Sequence, residues 1–393
     1  VTSSATWEVP AADLAKLVAL RRDLHSHPEL AFQEVRTAGV VAQALRDIGL
    51  NPQCGIAGTG VVAVLDTGRP GRTIGLRVDM DALPMAETTD LPFRSTRPDA
   101  AHTCGHDVHT AIGIGAATLL VAQAARLGGR FKFLFQPAEE TLEGARAMIA
   151  AGALTSPDVD VLIGCHNSPQ QPAGTVAWRR GPSMAASSAF VIRVKGVAGH
   201  AAHPTSGIDA LQALPGLLTG LSSIRSKELP ANEPLVLTVG RIVGGRARNV
   251  ICDDVVLEGT CRTLADASTD VVEAAVKRLA AGLAMATRTT IDVEWKRLAP
   301  VLANDTDAVD RTVQALRETL GTQAVVELES PSMGSEDFAW YAPHVPLVHL
   351  RIGGRPSDRP ATQLHQTNYF CDEQAIATGA LAMASAAAAL CQG

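Results

Sequence analysis

The chain of 393 residues is longer than one hydrophobic core usually serves, so two domains are expected. Hydrophobic residues make up 46% and charged residues 19%, and no apolar run comes near the roughly eighteen residues that cross a bilayer, which predicts a globular protein without a membrane-spanning segment. The net charge of -6, with no Lys/Arg cluster, argues against nucleic acid and leaves small molecules as partners. The 7 cysteines are scattered and form no Cys-x-x-Cys pair, so a reducing compartment, the cytoplasm, is expected. The start from Val1 to Glu8 lacks both a basic and an apolar leader region, so no signal peptide is read there.

Apolar residues at helical spacing (Leu14, Leu17, Val18, Leu20, Leu24) predict a helix from Leu14 to His25, and the pattern returns from Val35 to Ile48, ahead of a capping Gly49. His25-Ser26-His27-Pro28 between them reads as a helix end, because a metal site needs convergent ligands. Val61 to Leu65 and Thr73 to Val78 then read as two strands joined by the turn Gly68-Arg69-Pro70-Gly71. The glycines before the first strand do not have dinucleotide-binding spacing. The second strand runs into Asp79-Met80-Asp81, whose carboxylates, two apart on an extended chain, share a side at the strand tip. In α/β sheets that edge holds the active site.

His102-Thr103-Cys104-Gly105-His106-Asp107-Val108-His109 crowds His, Cys and Asp, all possible metal ligands, into one stretch. Gly105 permits the tight turn that lets Cys104 and His106 face one cation. Asp107 stands where an N-cap belongs, ahead of an apolar helix. The next strand, Arg130 to Phe135, ends in Gln136-Pro137-Ala138-Glu139-Glu140. On a helical first turn neighbouring side chains diverge by about 100°, so Glu139 and Glu140 are expected to do different work. A further strand over Val159 to Gly164 puts His166 at its end. Three strand tips thus carry potential ligands.

From about Ala185 the order becomes strand (Phe190 to Val194), helix (Ile208 to Ile224), strand (Leu235 to Val239), strand (Val250 to Thr260), helix (Asp270 to Ala286), strand (Thr290 to Trp295). That is the ferredoxin-like order, predicting an inserted domain over 185–297 within a discontinuous domain of 1–184 and 298–393. Two loops of the insert, Gly199-His200-Ala201-Ala202-His203-Pro204 and Gly245-Arg246-Ala247-Arg248-Asn249, read by spacing alone as ordinary turns. Afterwards the first texture returns: a helix Ala308 to Leu320, the strand Leu347 to Ile352, a loop carrying His365, and an Ala-rich closing helix Gln374 to Leu390.

Taken in order, Asp79-Met80-Asp81-Ala82-Leu83-Pro84, Cys104-Gly105-His106-Asp107, Gln136 to Glu140, Gly199-His200-Ala201-Ala202, Met333-Gly334-Ser335-Glu336-Asp337-Phe338 and Leu364 to Tyr369 resemble the motifs of the M20 metallopeptidase family, in its amidohydrolase branch. The resemblance covers essentially the whole chain. It implies a zinc-peptidase-like α/β catalytic domain, with a central mixed sheet flanked by helices, and an inserted α+β lid and dimerisation domain. It also implies two divalent cations, Zn²⁺ foremost with Mn²⁺ or Co²⁺ as alternatives. Cys104 would bridge them, His106 and His166 completing one and Glu140 and His365 the other. Glu139 would be the general base and Asp81 an orienting acid. His200 would reach the partner subunit's active site to stabilise the oxyanion, which makes a homodimer the expected assembly. Asn249 and Arg262 match positions that grip the substrate's carboxylate or backbone. Cys252 stands where a Pro often follows Val-Ile, and a local strand change is expected there.

The implied reaction is hydrolysis of an N-acyl amino acid to a carboxylic acid and an amino acid, with dipeptidase or deacetylase activity on the same site as the alternative. Two other readings stay open. Cys104 would be a nucleophile with His106 as its base, or the chain would bind metal without turnover.

Overall fold

The computed structural model describes residues 7–392. The reading of the N-terminus as leaderless rests mostly on residues outside that range. The chain divides into two compact units, one made of the chain up to Ser183 with Ala303–Ser330 and everything from Asp337 onward, the other of Met184–Leu302 with Pro331–Glu336.

The first unit is built on an 8-stranded mixed sheet in the order Gln53–Ile56, Gly60–Asp66, Arg130–Gln136, Thr73–Asp79, Val161–Pro172, Leu347–Arg355, Val176–Trp178, Val325–Glu327. Its four middle strands, from Arg130–Gln136 to Leu347–Arg355, run parallel. Such strands are covered on both faces, so burial runs along them instead of alternating: Thr73–Asp79 is buried at every position, including the ion pair Arg77–Asp79 at 2.8 Å. The helix His106–Gln123 is likewise buried around nearly its whole circumference. Its glycines permit close packing: a Cβ on Gly113 would stand 2.8 Å from Val78 Cγ2, and one on Gly115 would stand 2.8 Å from Ala380 Cβ.

The closing helix Gln374–Cys391 is long and apolar enough to cross a membrane by length and composition, contrary to the expectation that no apolar run approaches that length. It is 78% buried and packs on His106–Gln123 and Thr306–Leu320, as a core helix does. Its alanines supply length and hydropathy without the bulky periodic residues of an obvious core stripe.

The second unit has a 4-stranded antiparallel sheet in the order Thr290–Ala299, Ala186–Lys195, Asp254–Thr263, Leu235–Gly244. With the helices Leu214–Glu228 and Asp266–Thr287 this is the β-α-β-β-α-β order. Phe190, Ile192 and Val194 face a core shared with Leu217, Leu221, Val272 and Val276. The first helix starts later than Ile208: a 3-10 turn over Ala210–Ala213 precedes it, and Pro215 occupies its first turn, where a missing N–H costs nothing. The strand expected from Val250 begins only at Asp254. Val250 instead makes an isolated bridge to His200, and Cys252 Sγ turns onto the Asp254 carbonyl at 3.2 Å.

Candidate metal centre

Parallel middle strands bring their C-terminal ends to one edge. Asp79 lies in register with Gln136, so the segments that follow, carrying Asp81, Glu139 and Glu140, leave the sheet side by side. His166 is delivered by the neighbouring strand, which runs on to Pro172 alongside Leu347–Arg355, so His166 lies within the strand and not beyond its tip. Cys104 and His106 arrive on the loop entering the helix His106–Gln123. Gly105 is its N-cap with φ 85°, a left-handed conformation that a side chain resists, whereas Asp107 sits inside the first turn and caps nothing.

Ligand atoms converge here in overlapping groups: Cys104, His106 and His166; Cys104, Glu140 and His365; His106, Glu139 and Glu140; within each group they lie within 4.8 Å of one another. The histidine tautomers follow from their partners. His166 Nδ1 donates to the Asn167 carbonyl at 2.7 Å, leaving Nε2 as a lone pair 3.3 Å from Cys104 Sγ. His106 Nδ1 donates to Asp81 Oδ1 at 3.2 Å, leaving Nε2 3.7 Å from Glu140 Oε1 and 3.9 Å from Glu139 Oε2. His106 Nε2 and Glu140 Oε1 are buried without a hydrogen-bond partner. His365 Nε2 stands 3.5 Å from Glu140 Oε2, on a residue with φ 61°. Asp81 also accepts the backbone N–H groups of Glu139 (3.1 Å) and Glu140 (3.0 Å). The two glutamates are in a turn, not a helix, and both lean toward His106; the helix begins only at Gly144.

The electrostatics describe anions lacking countercharge. Burial, reinforced by Glu140, Glu139 and Asp79, holds the Cys104 thiol well above its ordinary value. Burial raises Glu140 to about 7, while His106 is pushed up to about 10 because Asp79, Asp81 and Glu140 outweigh its own burial. A mixed S, N and O donor set, two orphaned buried donor atoms and excess negative charge fit divalent cations, which reverse these shifts when bound.

The remaining members of the Cys104 stretch serve otherwise. His109 lies near Asp79 and His106, but both its nitrogens are engaged: Nδ1 donates to Asp79 Oδ1 at 2.6 Å and Nε2 accepts from the Asn167 backbone N–H at 2.8 Å. Asp107 Oδ2 is clamped by Arg21 Nε (2.7 Å) and His25 Nδ1 (2.9 Å), so His25 is more than a helix end. His102 is buried with neither ring nitrogen hydrogen-bonded, and burial pushes it down to about 4. Sequence reasoning gave no role to Arg21, Asn167 or Tyr369: Arg21 is distant from the ligands along the chain, and Asn167 and Tyr369, though close to His166 and His365, are not metal-ligand residue types. In the second unit, His200 Nδ1 accepts the Ala202 N–H at 3.1 Å, Asn249 is exposed, and Arg262 Nη1 donates to Ser335 Oγ at 2.8 Å.

A mixed sheet that gathers carboxylates, imidazoles and a thiol, candidate metal ligands, at the C-terminal edge of its parallel strands has the arrangement of a metallohydrolase. The chain belongs to the peptidase family M20/M25/M40, whose model matches residues 75–389. It is an amidohydrolase of that family. It is 36% identical over 365 residues to an N-acetylcysteine deacetylase of Bacillus subtilis, covering 92% of this chain and 93% of the relative. A hippurate hydrolase of Campylobacter jejuni is 33% identical over 361 residues, covering 92% and 93%. The crystal structure of Bacillus subtilis YXEP, described as a dinuclear metal-binding peptidase of the M20 family, matches with a TM-score of 0.83 at 32% identity, over 96% of this chain and 98% of that one.

Proposed function

We propose that this chain hydrolyses the amide bond of N-acyl-L-amino acids, releasing a carboxylic acid and the free amino acid. The observation that carries the proposal is that Cys104 belongs to two ligand groups, one with His106 and His166 and one with Glu140 and His365, beside Glu139. Cys104 is thus suited to bridge two divalent cations, with Zn²⁺ favoured by the thiolate and Mn²⁺ or Co²⁺ compatible with the other ligands. Bound there, the cations supply Lewis acidity that activates water and polarises the scissile carbonyl. Glu139 takes the proton that water loses as the C–O bond forms and delivers it to nitrogen as the C–N bond breaks. Asp81 holds His106 and the Glu139-Glu140 backbone in place.

His200 is assigned to the oxyanion of the partner subunit's site, and Asn249 and Arg262 to the substrate's carboxylate. Residues 185–297 are accordingly the lid and dimerisation domain, and 1–184 with 298–393 the catalytic domain. The exposed edge strand Leu235–Gly244 suits pairing between two copies. The scattered cysteines, with no Cys-x-x-Cys pair, are the ground for assigning a cytoplasmic location. Relatives named as a deacetylase and a hippurate hydrolase support an N-acyl substrate, and a dipeptide is the alternative. Burial, reinforced by the carboxylates around Cys104, opposes the metal-free thiolate that a Cys nucleophile requires.

The test uses N-acetyl, N-benzoyl and N-lauroyl amino acids and dipeptides with protein stripped and reloaded with Zn²⁺, Mn²⁺ or Co²⁺. Metal-dependent release of amino acid from an N-acyl member is expected. Glu139→Gln should abolish turnover with metal content unchanged; cleavage without metal, or a fully active variant, refutes the mechanism.

A further inference from the structure

Asn167 is fully buried on the strand Val161–Pro172, one residue beyond His166, and every polar group it owns is engaged. Its backbone N–H donates to His109 Nε2 at 2.8 Å, and its carbonyl accepts from His166 Nδ1 at 2.7 Å. Its side-chain Nδ2 donates to the Cys104 carbonyl at 2.5 Å and to His109 Nε2 at 2.9 Å, while Oδ1 accepts from the Tyr369 hydroxyl at 2.5 Å. The amide has only one workable orientation: reversed, it would set an oxygen against the Cys104 carbonyl and against the lone pair of His109 Nε2. That lone pair is itself fixed, because His109 commits its Nδ1 proton to Asp79.

This arrangement ties together two ligands that come from separate elements. Cys104 rides on a loop, His166 on a strand, and Cys104 Sγ stands 3.3 Å from His166 Nε2. Asn167 holds the loop by its side chain and the His166 ring by its backbone. The turn rests directly on it: a Cβ added to Gly105 would lie 2.4 Å from Asn167 Nδ2 and 2.7 Å from the Tyr369 hydroxyl. We propose that Asn167 is a positioning residue that sets the distance between the thiolate and imidazole ligands, and that Tyr369 acts through it. The inference rests on the metal reading above.

The test is Co²⁺ binding to the full-length protein, followed by equilibrium dialysis and by the thiolate-to-cobalt charge-transfer band, for wild type, Asn167→Ala, Tyr369→Phe and the double variant. Removing a partner that orients metal ligands typically costs about 10–100-fold in affinity, so Asn167→Ala should lose about that much and shift the band even at saturating Co²⁺. Tyr369→Phe should lose less, and should add nothing to Asn167→Ala. A wild-type affinity and band in Asn167→Ala overturns the proposal, as does a Tyr369→Phe loss that persists undiminished in the double variant. If Asn167→Ala does not fold, Tyr369→Phe decides: an unchanged affinity and band overturns the proposal, and a weaker, shifted one upholds it. Wild-type protein that takes up no Co²⁺ would refute the metal reading itself, a distinct result.

Discussion

Replacing Arg21 with Met should destabilise the first unit by about 3–5 kcal/mol, the usual cost of stripping one partner from a buried ion pair. The geometry shows where that cost falls. Arg21 and Asp107 are both 0% exposed, with Nε to Oδ2 at 2.7 Å. The second contact of Arg21, to Glu373 at 3.3 Å, is dispensable because Arg22 grips Glu373 at 2.8 and 2.7 Å. The loss therefore concentrates on Asp107, left with His25 as its remaining cationic partner at 2.9 Å. Methionine fills much of the vacated volume against Phe93, over whose ring the guanidinium lies at 4.8 Å, so a cavity contributes little. For a unit of this size about 2 °C per kcal/mol is expected, giving a fall in Tm of roughly 6–10 °C by calorimetry. A fall below about 2 °C would show that Asp107 does not depend on Arg21, and the clamp reasoning would be wrong.

Gly105→Ala forces a side chain onto φ 85° and against Asn167 and Tyr369; the protein should fold but bind metal at least about tenfold more weakly, and unchanged affinity by dialysis would refute the role given to the turn. His25 should make stability pH-dependent. Burial opposes its charge, but Asp107 and Glu87 overcome both that and the repulsion of Arg21, so its value is raised. Neighbouring His102 is held neutral by burial and adds little charge. A raised folded-state value stabilises fully below the ordinary value of about 6.5 and is lost as pH climbs through the folded one. The stability deficit of His25→Gln relative to wild type, read from urea unfolding, should therefore be largest near pH 6 and shrink toward pH 9; a deficit growing with pH would contradict the assigned charge.

Much of the site was legible because its chemistry is local. Cys104-Gly105-His106 is a compact ligand pair around a glycine turn, Asp79 and Asp81 end an apolar strand, and Glu139 and Glu140 end another. Type and spacing mark these residues as candidates, since few structural needs put carboxylates and imidazoles beside runs of buried aliphatics. Element boundaries blurred where the local signal was weak: the strand expected from Val250 begins only at Asp254, and Pro137-Ala138 led to a turn where a helix start was expected.

What the sequence by itself determined was a set of candidate ligands, the apolar strands near whose ends most of them lie and the order of the two folding units. Only the tertiary structure decided which nitrogen of His106 and His166 keeps its lone pair, that His109 is spent on Asp79 and Asn167, and that Arg21 answers Asp107. The physical reason is separation along the chain. Asn167 Nδ2 meets the carbonyl of Cys104, and Tyr369 meets Asn167, only because helix, loop and strand are packed into one water-poor interior. There each polar group must find a partner, and which one it finds depends on the fold and not on its neighbours in sequence.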